Sequence, residues 1–320
     1  METKAKFELK LGMATREAFG KALVEAGRAN RNIMALDADL SKSTYTHLFA
    51  KEFPDRFVEC GIAEANMMAI AAGLASSGKI PFAASFSCFA LNKGFEQLRV
   101  AVAYPKVNVK VVGTHSGISI GEDGPSQMSI EDLGLACSLP GFTVLSPADE
   151  IATRVLVHAA VAHIGPVFIR TGRPKAPVVH CPDQHFEIGG SVQLIDGVDL
   201  TIIATGLLVA EAIRAQEMLE SESISVRVVD MYSIKPLDRA AIQRAARETG
   251  AIVVAEEHLV STGLGVRVAQ AVAETHPCPM EFVGIQDTYA ESGTPDELMA
   301  KYGLRARDVA AAAKRVLARK

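Results

Sequence analysis

Glu64 is the one charged side chain between Ile62 and Ser77, a stretch otherwise built of small and apolar residues. The plainest role for such a glutamate is to complement the dipole of the helix it opens. The sharper role is a buried acid that exchanges a proton with a bound ligand. Further along, Phe86 and Phe89 stand beside Ser85 and Cys88. Phenylalanines at a strand-to-helix junction are usually core, yet an aromatic slot beside a buried carboxyl also suits a flat heteroaromatic ring. Between His115 and Gln127 a loop carries Gly117, Gly121 and Gly124 around Glu122 and Asp123. Its spacing matches neither the Walker loop nor the dinucleotide fingerprint. Adjacent carboxylates on a loop read first as a solvated turn, so no metal ligand is assigned to the chain. Arg16, Ser43, His115 and Arg173 are far apart in sequence, and each alone is most simply a surface residue. Together they have the donors of a phosphate clamp, with arginine supplying a planar fork.

Bringing these residues together requires a particular architecture. Helix-length and strand-length segments alternate along the chain: Thr15 to Ala29 (helix), Ile33 to Ala38 and Phe57 to Cys60 (strands), then Ala63 to Ser76. The last is apolar nearly all round and predicts a fully buried helix. Ile80 to Ser85 (strand), Phe89 to Ala103 (helix) and Val107 to Gly113 (strand) follow. Ser129 with Asp132, and Ser146 with Asp149, fit the capping box and predict two helix starts, Pro147 standing in the first turn of the second. After the strand Pro166 to Ile169, Thr171 to Gly190 holds three prolines and three glycines without helical period. Alternation then resumes to the end, with Thr294, Pro295 and Glu297 as another helix start. The expected fold class is α/β, with two doubly wound, mostly parallel-sheet domains at 1–175 and 191–320 and a linker at 176–190. Ligands gather at the carboxyl ends of parallel strands, which is where the candidate residues fall.

Composition narrows the class. Of 320 residues 49% are apolar and 22% charged, and 33 Lys plus Arg stand against 37 Asp plus Glu. That balance gives no basic footprint for nucleic acid or an anionic membrane. Nearly apolar runs such as Leu200 to Ala210 are too short to span a bilayer. METKAKFELKLGMAT has no apolar h-region of a secretory signal. The five cysteines are widely spaced without a CxxC, so neither a disulfide framework nor a zinc site is expected, and the cytoplasm is the expected compartment.

CGIAEANMMAIAAGLA, SFSCF and THSGISIGEDGPSQMSIEDLG, in that order, resemble the pyrimidine-binding domain of transketolase. VRVVDMYSIKPLD, AIVVAEEH and ESGTPDELMAKYGL are similar to its C-terminal domain. Transketolases also carry an N-terminal domain whose GDG…N motif holds magnesium and the thiamin diphosphate tail, and no GDG occurs here. The resemblance therefore implies the C-terminal subunit of a split transketolase, whose partner, an N-terminal subunit, supplies the Mg2+ and diphosphate ligands, in a heterotetramer with two copies of each. It implies Glu64 as the cofactor-activating glutamate, whose hydrogen bond to the aminopyrimidine favours the tautomer that removes the thiazolium proton. Phe86 and Phe89 match positions packing the aminopyrimidine. Asn92 stands where the family often has another aromatic residue, and Asp39 and Leu40 match a DL that approaches the cofactor. Arg16, Ser43, His115 and Arg173 match contacts to the phosphate of phosphosugar substrates, and Asp123 the carboxylate that reads a sugar hydroxyl. Gln127 replaces a histidine common in the family. Glutamine hydrogen-bonds but relays no proton near neutral pH, which points toward altered substrate stereochemistry or branching, as in specialised sugar-catabolic transketolases.

Two other readings stand beside this one. The β subunit of a 2-oxo-acid dehydrogenase E1 component shares the length, the domain order and the glutamate. GEDGP and the four clamp residues suit a phosphosugar better. A non-catalytic homologue is expected to have lost the glutamate, whereas Glu64 and both phenylalanines are intact.

Overall fold

A computed structural model describes residues 9–320. Residues 1–8, which include most of the segment read as lacking a signal and the start of the expected first domain, lie outside the described residues. Two large sheets organise the chain. The first runs Ser233–Lys235, Thr143–Leu145, Val167–Arg170, Lys110–Thr114, Ile80–Phe86, Ile33–Asp37, Phe57–Glu59, and all neighbours pair parallel except the first two. The second runs Met280–Ile285, Ile252–Leu259, Leu200–Ala204, Val226–Asp230, parallel throughout, with Val192–Ile195 antiparallel at its edge. Doubly wound α/β architecture is what the alternation predicted. A small two-stranded ladder pairs Leu11–Ala14 with Lys175–Pro177, the latter inside the stretch expected to be irregular.

Central strands are predominantly apolar because helices cover both their faces. Leu200–Ala204 and Val226–Asp230 are buried at every position. Pro81 fits because its strand gains its second neighbour only from Phe82, so the missing N–H sits at the strand start. The two sheets share structure. Ser233–Lys235 leaves the second sheet's stretch of sequence to edge the first, and Lys235 Nζ donates to the carbonyls of Cys137 and Leu139. His180, in the connecting stretch, lies buried between Asp149 at 3.0 Å and Asp230 at 3.2 Å. Burial opposes its protonation, but the two carboxylates outweigh it and push its pKa up to about 9.

Three local expectations need correction. Helix Glu64–Ser76 is not buried all round: Met67, Met68, Ala71 and Ala72 face the core, while Asn66, Ala69 and Gly73 are exposed. Among the described residues no element covers this outer face of small and polar residues. Ser129 and Asp132 form no capping box, because helix Asp132–Ser138 starts after Glu131 and the Asp132 carboxylate is taken by Arg170. Nor do Ser146 and Asp149. Asp149 is itself the cap of helix Glu150–Ala162, accepting from the Ala152 amide at 2.8 Å, which leaves Pro147 outside the helix. The Thr294–Glu297 capping box is present.

Candidate active site

Five neighbouring strands of the first sheet end along one edge, and each feeds a candidate residue into it. Val167–Arg170 leads to Arg173, Lys110–Thr114 to His115, Ile80–Phe86 to Phe86 and Phe89, Ile33–Asp37 to Asp39 and Leu40, and Phe57–Glu59 to Glu64. Parallel pairing converts distant sequence positions into a contiguous row.

His115 is the pivot. It follows its strand with a left-handed φ of 58°, a conformation histidine adopts more readily than most residues. Arg16 Nη1 lies 3.0 Å from its Nε2, and its Nδ1 lies 2.8 Å from Thr114 Oγ1. Arginine can only donate, so Nε2 accepts and the ring proton sits on Nδ1, donated to Thr114. Burial, then the nearby Arg16 and Arg173, push the imidazole pKa down to about 3, so it stays neutral at physiological pH. Arg16 also donates to the Ser43 main-chain oxygen at 2.8 Å and lies over the Tyr45 ring at 5.4 Å. Its Nε is buried without a partner. Burial lowers the Arg16 pKa, and the Arg173 charge lowers it further, against pull from Tyr45, Glu17 and Asp123. Arg173 reaches the Ile120 carbonyl and pairs with Glu122 at 2.9 Å. Arg16, His115, Arg173 and Asp123 therefore share one electrostatic neighbourhood, and Ser43 contributes through its backbone.

From His115 a line of contacts leads to Glu64. The His115 ring stacks on Phe86 at 3.8 Å, and Phe86 stacks on Phe89 at 5.6 Å with planes 11° apart. Lys93 Nζ lies 4.5 Å over the Phe89 ring and 3.5 Å from Glu64 Oε1. Glu64 is buried at the first position of its helix, next to Ile62, which is 77% exposed. The helix carrying Phe89 and Lys93 opens with a widened π turn over Phe89–Lys93, a distortion that re-aims side chains and recurs at functional sites. Asn92 donates to Glu131 at 2.7 Å. Cys88 Sγ donates to the Gln127 carbonyl at 3.1 Å, tying the glycine loop to the aromatic slot, and the Gln127 side chain accepts from Ser126.

Asp39 has φ 63°, and its amide donates to Glu59 Oε1, which also accepts from Gly61. Leu40 donates to Asp37 Oδ1, whose other oxygen accepts from Thr44 and Thr46. Burial pushes the Asp37 carboxyl up to about 6 against those hydrogen bonds. Asp37, Glu59, Lys93 and Glu131 were not singled out from sequence. An acidic residue ending an apolar strand, as in IMALD and FVE, was the available signal for the first two.

A flat ring bearing an N–H donor fits this site, because Lys93 already places a donor over the aromatic face and beside the carboxylate. Among the described residues no group of three or more His, Cys, Asp or Glu side chains is arranged to hold a metal. No helix among them is long and apolar enough to cross a membrane.

The family model for the transketolase pyrimidine-binding domain matches residues 12–178, and that for the transketolase C-terminal domain matches 189–309. A transketolase C-terminal section of Methanocaldococcus jannaschii is 43% identical over 298 residues, 92% of this chain and 93% of that protein. The 6-deoxy-6-sulfo-D-fructose transketolase subunit SqwH of Clostridium sp. is 39% identical over 315 residues, 98% of each chain. A solved split-gene transketolase, an inactive β4 tetramer, superposes with TM-score 0.91 at 51% identity, covering 96% of this chain and 99% of its own. Human transketolase is 40% identical over 309 residues, and this chain spans 49% of its length.

Proposed function

The chain belongs to the transketolase family, and on that premise we propose that it is the C-terminal subunit of a split transketolase that depends on thiamin diphosphate and Mg2+. It transfers a two-carbon ketol unit from a ketose phosphate to an aldose acceptor. One observation carries this reading: the unbroken row Arg16, His115, Phe86, Phe89, Lys93, Glu64, which joins an anion clamp to a buried carboxyl through an aromatic floor. The relatives are transketolases, which leaves the 2-oxo-acid dehydrogenase reading without a supporting observation.

When bound, thiamin diphosphate supplies the electron sink for breaking the carbon–carbon bond beside a ketose carbonyl. This chain's residues do the rest of the local work. Phe86 and Phe89 would hold the aminopyrimidine, and Glu64 would accept or share a hydrogen bond at its ring nitrogen in the place Lys93 now takes. The sugar phosphate lies between the Arg16 and Arg173 guanidinium groups, whose mutual repulsion a dianion relieves. His115, held neutral, positions Arg16 through its Nε2 lone pair. The Arg173–Glu122 pair is an exposed surface ion pair, weak as such pairs usually are, so a phosphate displaces Glu122 readily. Asp123 and Gln127 address sugar hydroxyls. The relative that acts on a sulfonated sugar supports an unusual substrate here too.

Partner dependence follows from the same reading. The exposed Asn66, Ala69 and Gly73 face of helix Glu64–Ser76 adjoins the activating glutamate, and small residues there allow close backbone approach. An N-terminal subunit carrying the diphosphate and metal ligands fits that face, with the heterotetramer as the assembly. The test is reconstitution. The purified chain is expected to show no turnover of ketose and aldose phosphates even with thiamin diphosphate and Mg2+, and co-expression with a GDG-bearing partner is expected to restore it. Turnover by the chain alone would sink the split-subunit reading. Turnover of a 2-oxo acid with a dye acceptor in place of sugars would sink the transketolase reading.

Within the complex, Arg173→Ala removes a charge-assisted contact worth about 1.5–3 kcal/mol. The expected result is a KM for phosphorylated acceptors raised about 10- to 100-fold, with little change for unphosphorylated ones. Equal effects on both, measured with erythrose 4-phosphate and erythrose, would remove Arg173 from the clamp.

A further inference from the structure

The second domain contributes no residue to the row just described, yet it ends one of its strands in Glu256, Glu257 and His258, all buried. Glu256 accepts from the Leu264 and Gly265 amides and caps its own domain's helix. The other two cross to the first domain. His258 Nε2 accepts from the Leu133 amide at 3.1 Å, at the start of helix Asp132–Ser138. Glu257 Oε1 accepts from the Ser119 amide at 2.6 Å, inside the loop from His115 to Gln127.

The Ser119 contact is built to closer tolerance than a chance meeting. Gly117 has φ 80°, and a Cβ there would fall 2.2 Å from the Glu257 carboxylate, so the loop backbone lies flat against the acid and only glycine fits. The Glu257 main-chain oxygen accepts from Arg170 at 2.9 Å, which fixes the strand end in place. Gly117 also pairs with Ser129, and the Leu259 amide donates to the Ile130 oxygen, closing the base of the loop. A small cavity of about 20 Å³ beside it is lined in part by Ser116, Arg170 and Glu257. Ile118 and Ile120 on either side of Ser119 pack into the apolar core, so the Glu257 contact fixes a loop segment that is also anchored by its isoleucines. Beyond Ser119 the loop goes on to Ile120, whose carbonyl takes Arg173, and then to Asp123 and Gln127.

We infer that Glu257 of the second domain is a positioning residue for the substrate loop, holding Ser119 so that Asp123, Gln127 and the Arg173 anchor face the sugar. The inference rests on the transketolase reading for its consequence in catalysis but not for its consequence in loop order. The C-terminal domain thereby acts on substrate geometry without touching substrate.

Hydrogen exchange followed by mass spectrometry on the full chain tests the loop directly. In Glu257→Ala, amides of residues 117–124 are expected to exchange roughly 10- to 100-fold faster, while strand Ile80–Phe86 keeps its protection. Glu257→Gln retains an oxygen that can accept from Ser119 and is expected to restore most of the loop protection. In the reconstituted complex, Glu257→Ala is expected to raise the KM for the acceptor sugar phosphate roughly tenfold with a smaller change in kcat, and the glutamine variant to recover it. If the alanine variant fails to fold, Glu257→Met, which keeps much of the side-chain volume without an acceptor, takes its place. A rise in exchange confined to residues 117–124 supports the role, and an equal rise across the whole chain overturns it. Unchanged loop exchange in the alanine variant also overturns it. A wild-type complex inactive on sugars would remove the catalytic consequence and leave the exchange result standing, so the two failures are separable.

Discussion

Glu64→Ala is expected to lower kcat of the reconstituted complex by about 10³-fold or more while leaving assembly and thermal stability nearly intact. Two roles of this glutamate differ in what they risk. As a first-turn helix charge it contributes about 0.3–1 kcal/mol, an effect on stability with none on turnover. As the acid that holds a proton against the cofactor ring it contributes general acid–base catalysis, typically 10²- to 10⁴-fold. Geometry favours the second role: the carboxylate is buried and addressed at 3.5 Å by Lys93, whose ammonium also lies over the Phe89 ring. Lys93 is half-exposed, so losing its partner strands no buried charge. Stability is therefore a clean control. The measurements are steady-state turnover, melting temperature and cofactor binding by calorimetry, with Glu64→Gln as the isosteric companion. An alanine variant that turns over within about tenfold of wild type would falsify the assignment.

How much of this was legible in the sequence depends on whether a feature is local. Ile33–Asp37 and Ile80–Phe86 are legible as strands to within a residue, because strands covered on both faces are mostly apolar runs. The three-residue strand Ser233–Lys235 is not, since nothing in its own composition says that it pairs with Thr143–Leu145. The S-x-x-D pattern at Ser146 and Asp149 was misread for a similar reason. The motif is satisfied, but Asp149 itself caps the helix, and its second oxygen serves Val179 and His180. Helix Glu64–Ser76 was expected to be buried because hydrophobicity marks surface that needs covering without saying whether its own chain or another covers it. In the site, residue types and strand ends pointed to Arg16, His115, Phe86, Phe89 and Arg173. Sequence could not show that Asn92 turns to Glu131, or that Glu257 reaches Ser119 from the other domain. Those are tertiary contacts between polar residues with no periodicity to betray them.

The same limit applies to a fully buried structural dependency, the ion pair between Arg170 and Asp132. Both side chains are buried, with Arg170 Nε at 2.9 Å from Asp132 Oδ2, and that oxygen also accepts from Ser87. Burial pushes the Asp132 carboxyl up, but Arg170, His258 and Ser87 together outweigh it and hold it below the usual carboxylate range. Because the folded pKa is depressed, this stabilisation is complete at neutral pH and disappears only as acid titrates the carboxyl below its ordinary value. Asp132→Ala leaves the Arg170 guanidinium buried without its counter-charge. Breaking such a pair from one side costs about 3–5 kcal/mol. Near 2–4 °C per kcal/mol for a chain of this size, melting falls by roughly 10 °C. Removing both partners with apolar groups of similar volume is far milder for buried pairs, so Arg170→Met with Asp132→Leu is expected to recover much of the loss. The double variant separates a stranded charge from a lost attraction. Were Asp132→Ala to melt within about 2 °C of wild type at pH 7, the guanidinium would have found water or another acceptor. Recovery in the double variant would place the cost in the unpaired charge, and its absence would place it in the hydrogen bonds to Ser129, Ser87 and Glu257, the last of which joins the two sheets.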